Sequence, residues 1–173
     1  MAVDPATESL TDPSRLCVEC GLCCNGALFT HAKLTPEEVD HAPGAVSTRG
    51  GEPSFSLPCP LLTGAGCSIY NDRYGICRSF RCALLKKVSD GEVGIAEGLD
   101  RVAEAKRLIG RLTAELPSGA TIAGRLEIGA AAQSTNEAVN PRRSAQLRVF
   151  SIAADVFLDR HFRLSNKRFS EMQ

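Results

Sequence analysis

Neither charge is in excess in this sequence: 20 Lys and Arg stand against 20 Asp and Glu, and the formal net charge is zero. A nucleic-acid footprint or a strongly acidic partner surface is therefore not expected. No apolar run comes near the roughly 20 residues that a membrane helix needs. The opening MAVDPATESLTDPSR lacks both the basic start and the apolar stretch of a secretory signal. These absences predict a soluble, cytoplasmic protein with no membrane and no nucleic acid among its partners. Several catalytic signatures are missing too. There is no P-loop, and the glycines of SGATIAGRLEIG lack the G-x-G-x-x-G spacing of a dinucleotide site. No Ser/His/Asp arrangement stands out, no internal repeat is found, and no cysteine follows residue 82.

What is present lies mostly ahead of that point. The chain has 173 residues, 43% of them hydrophobic. That is enough for one globular domain with a real core. Eight cysteines are unusual in a cytoplasmic chain, where thiols stay reduced and clustering more often means metal or catalysis than disulfides. They are Cys17, Cys20, Cys23, Cys24, Cys59, Cys67, Cys77 and Cys82. Half the protein thus carries the chemistry and the other half is ordinary.

Residues 1–15 read as a flexible arm with Pro5 and Pro13. Residues 16–90 read as the cysteine region, and 91–173 as a helical region packed on it within the same domain. A short strand is expected in 26–34. Thr35, Pro36 and Glu38 predict a capped helix of about two turns, ended by Pro43-Gly44. Residues 44–58 read as a loop with a short strand at its end. TGAG, between Cys59 and Cys67, predicts a small hairpin, and Asp90-Gly91 a turn. Over 99–116, Leu99, Val102, Ala103, Ile109, Leu112 and Leu116 recur at helical spacing before Pro117. Residues 118–139 are ambiguous, with TIAGRLEIGAAA open to a helix. A second long helix is expected from Asn140-Pro141, with Leu147, Phe150, Ser151, Ala154, Phe157 and Leu158 on one face. The tail RLSNKRFSEMQ reads as basic and frayed. The fold expected is α+β, mainly α: a small metal-stapled region of loops and short strands packed on long C-terminal amphipathic helices.

CVECGLCC places Cys17, Cys20, Cys23 and Cys24 within eight residues. Thiolate ligands must converge to about 2.3 Å from one zinc ion. The C-x2-C-x2-C run offers a three-ligand tripod of the kind that opens bacterial ferredoxins, where a Cys-Pro completes the set. Cys59-Pro60 offers such a pair here. Cys24 follows Cys23 directly, so its side chain should point elsewhere, toward a second metal with some of Cys67, Cys77 and Cys82. Two sets of four fit two tetrahedral sites. One site with leftover core cysteines fits as well, since a lone cysteine is most simply a small buried hydrophobe. Arg73, Arg78 and Arg81 lie close to Cys77 and Cys82 in sequence. Arg73 and Arg78 are candidates to donate N–H to a thiolate and offset the negative charge of a four-thiolate metal. Tyr70 and Phe80 read as wedges packing the metal loops on the core. His31, His41 and His161 read as surface or interface residues.

The run C-x2-C-x2-C-C, followed by C-P-x-L-x4-C-x-I-Y-x2-R-x3-C-R-x-F-x-C, resembles the YkgJ-type cysteine-cluster family, the zinc- or iron-chelating CxxCxxCC domain. The residues that carry it are Cys17, Cys20, Cys23, Cys24, Cys59, Pro60, Leu62, Cys67, Ile69, Tyr70, Arg73, Cys77, Arg78, Phe80 and Cys82. The LTPEE helix start is also family-like. Tyr74 stands where relatives often have proline after the arginine. The resemblance covers about residues 17–90. It implies metal binding, with the metal itself unsettled across the family. Flagellin lysine methylase shares the cysteine motif in a longer chain, and by that analogy alone a methyl-transfer role arises.

Three functions stay open on the sequence. One is a protein that holds an iron–sulfur cluster or zinc, at one or two sites, in a redox or metal-handling role. The second is a structural zinc module whose helices present a surface to a protein partner. The third is a cluster-dependent enzyme.

Overall fold

The structure is a computed structural model, and it describes residues 13–64, 66–114, 122 and 141–164. Its first element is helix α1, Ser14–Cys20, which places Cys17 and Cys20 on a helix where the sequence reading had an arm and a loop. It ends at Gly21 in the left-handed conformation (φ 68°). Such a C-terminal position favours glycine because no Cβ meets the following backbone.

Strand β1 (His31–Lys33) lies in the expected segment. Thr35 and Glu38 form the expected capping box, with Glu38 Oε2 accepting Thr35 N–H at 3.0 Å. The turn they start is the tighter 3-10 form, Pro36–His41. Where a loop with one strand was expected, a hairpin is found: β2 (Val46–Arg49) and β3 (Glu52–Ser56). The two residues between them, Gly50 and Gly51, both have positive φ (58° and 87°). A two-residue hairpin turn of that handedness matches the twist of its strands. The antiparallel sheet has the order β1-β3-β2, with Phe55 opposite both Ala32 and Val46. Strands β4 (Leu62–Thr63) and β5 (Gly66–Cys67) make the small expected hairpin, pairing Leu62 with Cys67.

Two short helices that the sequence reading did not anticipate follow: α2 (Gly75–Ser79) and α3 (Ala83–Ser89). Neither is long enough to show a helical period clearly. The long helices are α4 (Ile95–Ala114) and α5 (Pro141–His161), which pack against each other. α4 buries Gly98, Val102, Ala105, Ile109 and Leu112; Ala105 takes the inward place expected of Ala103. α5 buries Leu147, Ser151, Ala154 and Leu158 as expected, and the Ser151 hydroxyl is satisfied by the carbonyl of Leu147 at 2.8 Å. The ambiguous stretch 118–139, apart from Ile122, and the tail beyond 164 lie outside the described residues. The architecture is the expected mainly-α α+β fold.

Two apolar clusters hold it together. The first joins Leu16 and Leu22 with Leu84, Leu85 and Val88 of α3 and the inner faces of α4 and α5. α1 can lie close to α4 because Gly98 has no side chain. A Cβ there would meet Leu16 Cδ2 and Val88 Cγ2, both at 3.1 Å. The second cluster is smaller: Ala32, Leu34, Phe55 and Tyr74 beneath the three-stranded sheet. Among the described residues no helix is long and apolar enough to cross a membrane.

Candidate metal centre

The cysteines come from the segments where these two clusters meet. Cys17 and Cys20 are three residues apart on α1, which puts them on one helical face. Cys23 and Cys24 follow the Gly21 cap in a turn closed by Asn25 N–H bonding to Gly21 O at 2.9 Å. Cys59 is tied to that turn, since its N–H bonds to Cys24 O at 2.7 Å. Cys67 stands on β5, Cys77 on α2, and Cys82 caps α3, its sulfur accepting Leu85 N–H at 3.4 Å.

All eight line a single cavity of about 90 Å³. The cavity runs from Leu16 and Phe162 of the first cluster to Phe55 and Tyr74 of the second. Each thiol is free and partly buried. Among the described lining residues Arg73 is the one formally charged side chain, and no histidine, aspartate or glutamate takes part. As the side chains lie, no group of three or more His, Cys, Asp or Glu among the described residues is drawn together into a ready metal cage.

Burial dominates the electrostatics of the thiols. Burial pushes the Cys20 and Cys77 thiols up to about 12 and Cys24 to about 11. It raises Cys17, Cys59 and Cys82 as well, and Cys23 well above its ordinary value. These seven thiols are thus held protonated and neutral at pH 7. Other groups work in the opposite sense. Backbone N–H groups of Leu22, of Leu61 and Leu62, and of Leu84 and Leu85 favour the thiolates of Cys20, Cys59 and Cys82 respectively. The Arg73 guanidinium favours the thiolates of Cys17, Cys24 and Cys77. N–H donors aimed at sulfur are what a metal thiolate needs around it. A cavity of this size has room for several water-sized atoms, so the donor set and the space both fit a thiophilic metal.

The other candidates fall out as follows. Arg73 lies on the Tyr70 ring, its Cζ 3.7 Å from the ring centroid, and its buried Nε has no hydrogen-bond partner. Arg78 is exposed and is not among the lining residues. Arg81 is exposed and donates to the carbonyls of Arg78 and Phe80, at 2.6 and 3.1 Å. Phe80 wedges edge-on against Phe29, ring centroids 4.9 Å apart. Tyr70 reaches back to α1, its hydroxyl donating to Ser14 O at 3.3 Å. His31, expected at the surface, is buried beside Thr30, with Oγ1 and Nδ1 at 2.6 Å. Cys59, offered by the sequence as fourth member of the tripod, lines the same cavity, its backbone bonded to Cys24.

Two positioning residues escaped the sequence reading. Tyr74 is buried against Phe55 and donates its hydroxyl to His41 O. Glu38, beyond its capping role, accepts Gly75 N–H at 2.7 Å at the start of the Cys77 helix. The capping box made Glu38 legible, but its second bond joins residues 37 positions apart, which no local pattern encodes.

No curated protein and no solved structure matches the chain. Residues 16–98 do match a family model, CxxCxxCC, described as "Putative zinc- or iron-chelating domain". That span begins one residue before Cys17 and contains all eight cysteines. It bears out the resemblance read from the cysteine spacing: residues 16–98, just under half of the chain, match that domain.

Proposed function

We propose that the cysteine cavity holds zinc or iron, as the bare ion or in an iron–sulfur cluster, through thiolates of Cys17, Cys20, Cys23, Cys24, Cys59, Cys67, Cys77 and Cys82. The role that goes with it is redox or metal handling. One observation carries the reading: eight thiols scattered over some sixty residues of sequence line the same cavity. Buried cysteines serving only as packing would have no reason to share a wall. The bound metal supplies charge, and with iron a redox couple; the chain supplies the thiolates, the apolar shell that keeps water out, and the N–H donors that support sulfur. Metal handling is favoured over catalysis on an organic substrate because the described lining holds no imidazole or carboxylate to move a proton. Of the two arginines proposed to sit behind the thiolates, the lining position of Arg73 supports its part, whereas Arg78 is exposed and outside the lining.

Elemental analysis and an absorption spectrum, on protein purified without oxygen and without added metal, test the proposal. Iron with acid-labile sulfide and a visible band means a cluster. Colourless protein with zinc means a thiolate-held ion. Protein that arrives metal-free, and takes up neither metal when reduced and titrated, sinks it.

A further inference from the structure

We infer that the eight thiols form two separate four-thiolate sites, one of Cys17, Cys20, Cys23 and Cys82, the other of Cys24, Cys59, Cys67 and Cys77, with Arg73 between them. This rests on the metal-binding reading above and divides it.

Packing makes the first division. Cys17, Cys20, Cys23 and Cys82 all pack on the first apolar cluster, whereas Cys59 and Cys77 pack on the second. The backbone makes the same division. α1 brings Cys17 and Cys20 to the cluster through Leu16, and α3 brings Cys82 there through Leu84 and Leu85. On the other side a chain of short bonds runs from Cys24 O to Cys59 N, then from Cys59 O to Leu62 N at 3.0 Å. Leu62 is paired with Cys67 across the β4–β5 hairpin. Cys23 and Cys24, adjacent in sequence, are where the two sets separate.

Arg73 lines the cavity that the two sets share. Two divalent ions with four thiolates apiece carry four net negative charges between them. Arg73 is the formally charged side chain among the described lining residues available to offset them, and its buried Nε–H is unused. Stacking on Tyr70 holds it in place.

The test is a cobalt(II) titration of the reduced, metal-free full chain, read by thiolate-to-cobalt absorption, with chelator competition for affinity. Wild type is expected to bind two cobalt ions. Cys82→Ser and Cys67→Ser are each expected to bind one, and the double variant none. Arg73→Gln is expected to keep both ions but to bind them about tenfold more weakly, the size seen when a support behind a ligand is lost; Arg78→Gln is expected to match wild type. Cadmium NMR of the wild-type chain needs no variant to fold, and should give two resonances in the four-thiolate range. One ion per chain, lost in both Cys82→Ser and Cys67→Ser, would overturn the division while leaving metal binding intact. No ion at all would overturn metal binding itself. Unchanged affinity in Arg73→Gln would remove Arg73 from between the sites.

Discussion

Raising the pH should unfold the metal-free protein, and the size of the effect follows from the buried thiols. In the unfolded chain a cysteine has its ordinary value of 9.0, whereas in the folded chain Cys20 and Cys77 are held at about 12 and Cys24 at about 11. A thiol whose folded value is raised stabilises the fold fully below pH 9, and that stability is lost as pH climbs toward the folded value. At pH 10 each of the three is mostly ionised when unfolded and still protonated when folded. That difference is about 1.4 kcal/mol per thiol, or roughly 4 kcal/mol for the three together, relative to pH 7. Cys17, Cys23, Cys59 and Cys82 shift the same way and add to it. Against a total stability of about 5–15 kcal/mol this is a large fraction. The assay is urea denaturation with reductant and chelator at pH 7 and pH 10, where a midpoint lower by about 2 M is expected at the higher pH. With metal bound the sign reverses: the ligands are already thiolates, so stability is lost as pH falls and protons compete for sulfur. An apo midpoint that does not move between pH 7 and pH 10 would refute the description of these thiols as buried and protonated.

Three further expectations concern the frame around the cavity. Gly98→Val should destabilise by about 1–3 kcal/mol, because even a Cβ meets Leu16 and Val88 at 3.1 Å; thermal denaturation of the metal-free protein reads it. Glu38→Ala removes the acceptor for both Thr35 N–H and Gly75 N–H. It should cost about 1–3 kcal/mol and weaken metal uptake through Cys77, read by chelator competition, while Glu37→Ala leaves uptake unchanged. Arg163 is buried and paired with Asp155 at 2.8 Å and with Asp159. Arg163→Ala removes the charge-assisted bonds to Asp155 and Asp159 and should cost about 1–3 kcal/mol, seen as a lower urea midpoint with unchanged metal stoichiometry.

How much of this was legible in the sequence depended on range. Helix α4 was legible because a 3.6-residue period repeats along its 20 residues; α5 was legible from the spacing of Leu147, Ser151, Ala154 and Leu158, although exposed Val149, Ile152 and Val156 blur its apolar face. The capping box was legible because its partners are three residues apart. The β4–β5 hairpin was announced by its glycines. Helix α1 was missed because its seven residues show the eye cysteines before they show a period. α2 and α3 were too short to declare themselves, at five and seven residues. The β2 hairpin was half-read: β2 is exposed along its whole length, so no apolar alternation marks it, and only Gly50-Gly51 gave a signal. For the site, spacing identified the ligand candidates but not their grouping. Cys59-Pro60 resembled a tripod's fourth ligand; its backbone bond to Cys24, 35 residues away, is a contact no local pattern encodes. Arg73 and Arg78 looked equivalent by distance along the chain. Their difference lies in Tyr70, which stacks under Arg73 and has no counterpart for Arg78.

The position of the cavity gives the thiols a mechanical as well as a chemical role. It lies between two apolar clusters that differ in size and in the elements they hold. The smaller, built on a three-stranded sheet with one exposed strand, has few buried side chains of its own. Among the described links between the two sides are the Leu57–Thr30 backbone bond at 2.9 Å, and Leu57 and Ile76, which pack on both clusters. Each is worth little beside a metal–thiolate bond, since a single net hydrogen bond contributes about 1 kcal/mol. Metal on Cys24, Cys59, Cys67 and Cys77 would therefore strengthen the smaller cluster most, while metal on Cys17, Cys20, Cys23 and Cys82 would join α1 to α3, which already share the larger one. Unequal gains from equal ligand sets make the second site the one whose loss the fold should feel first.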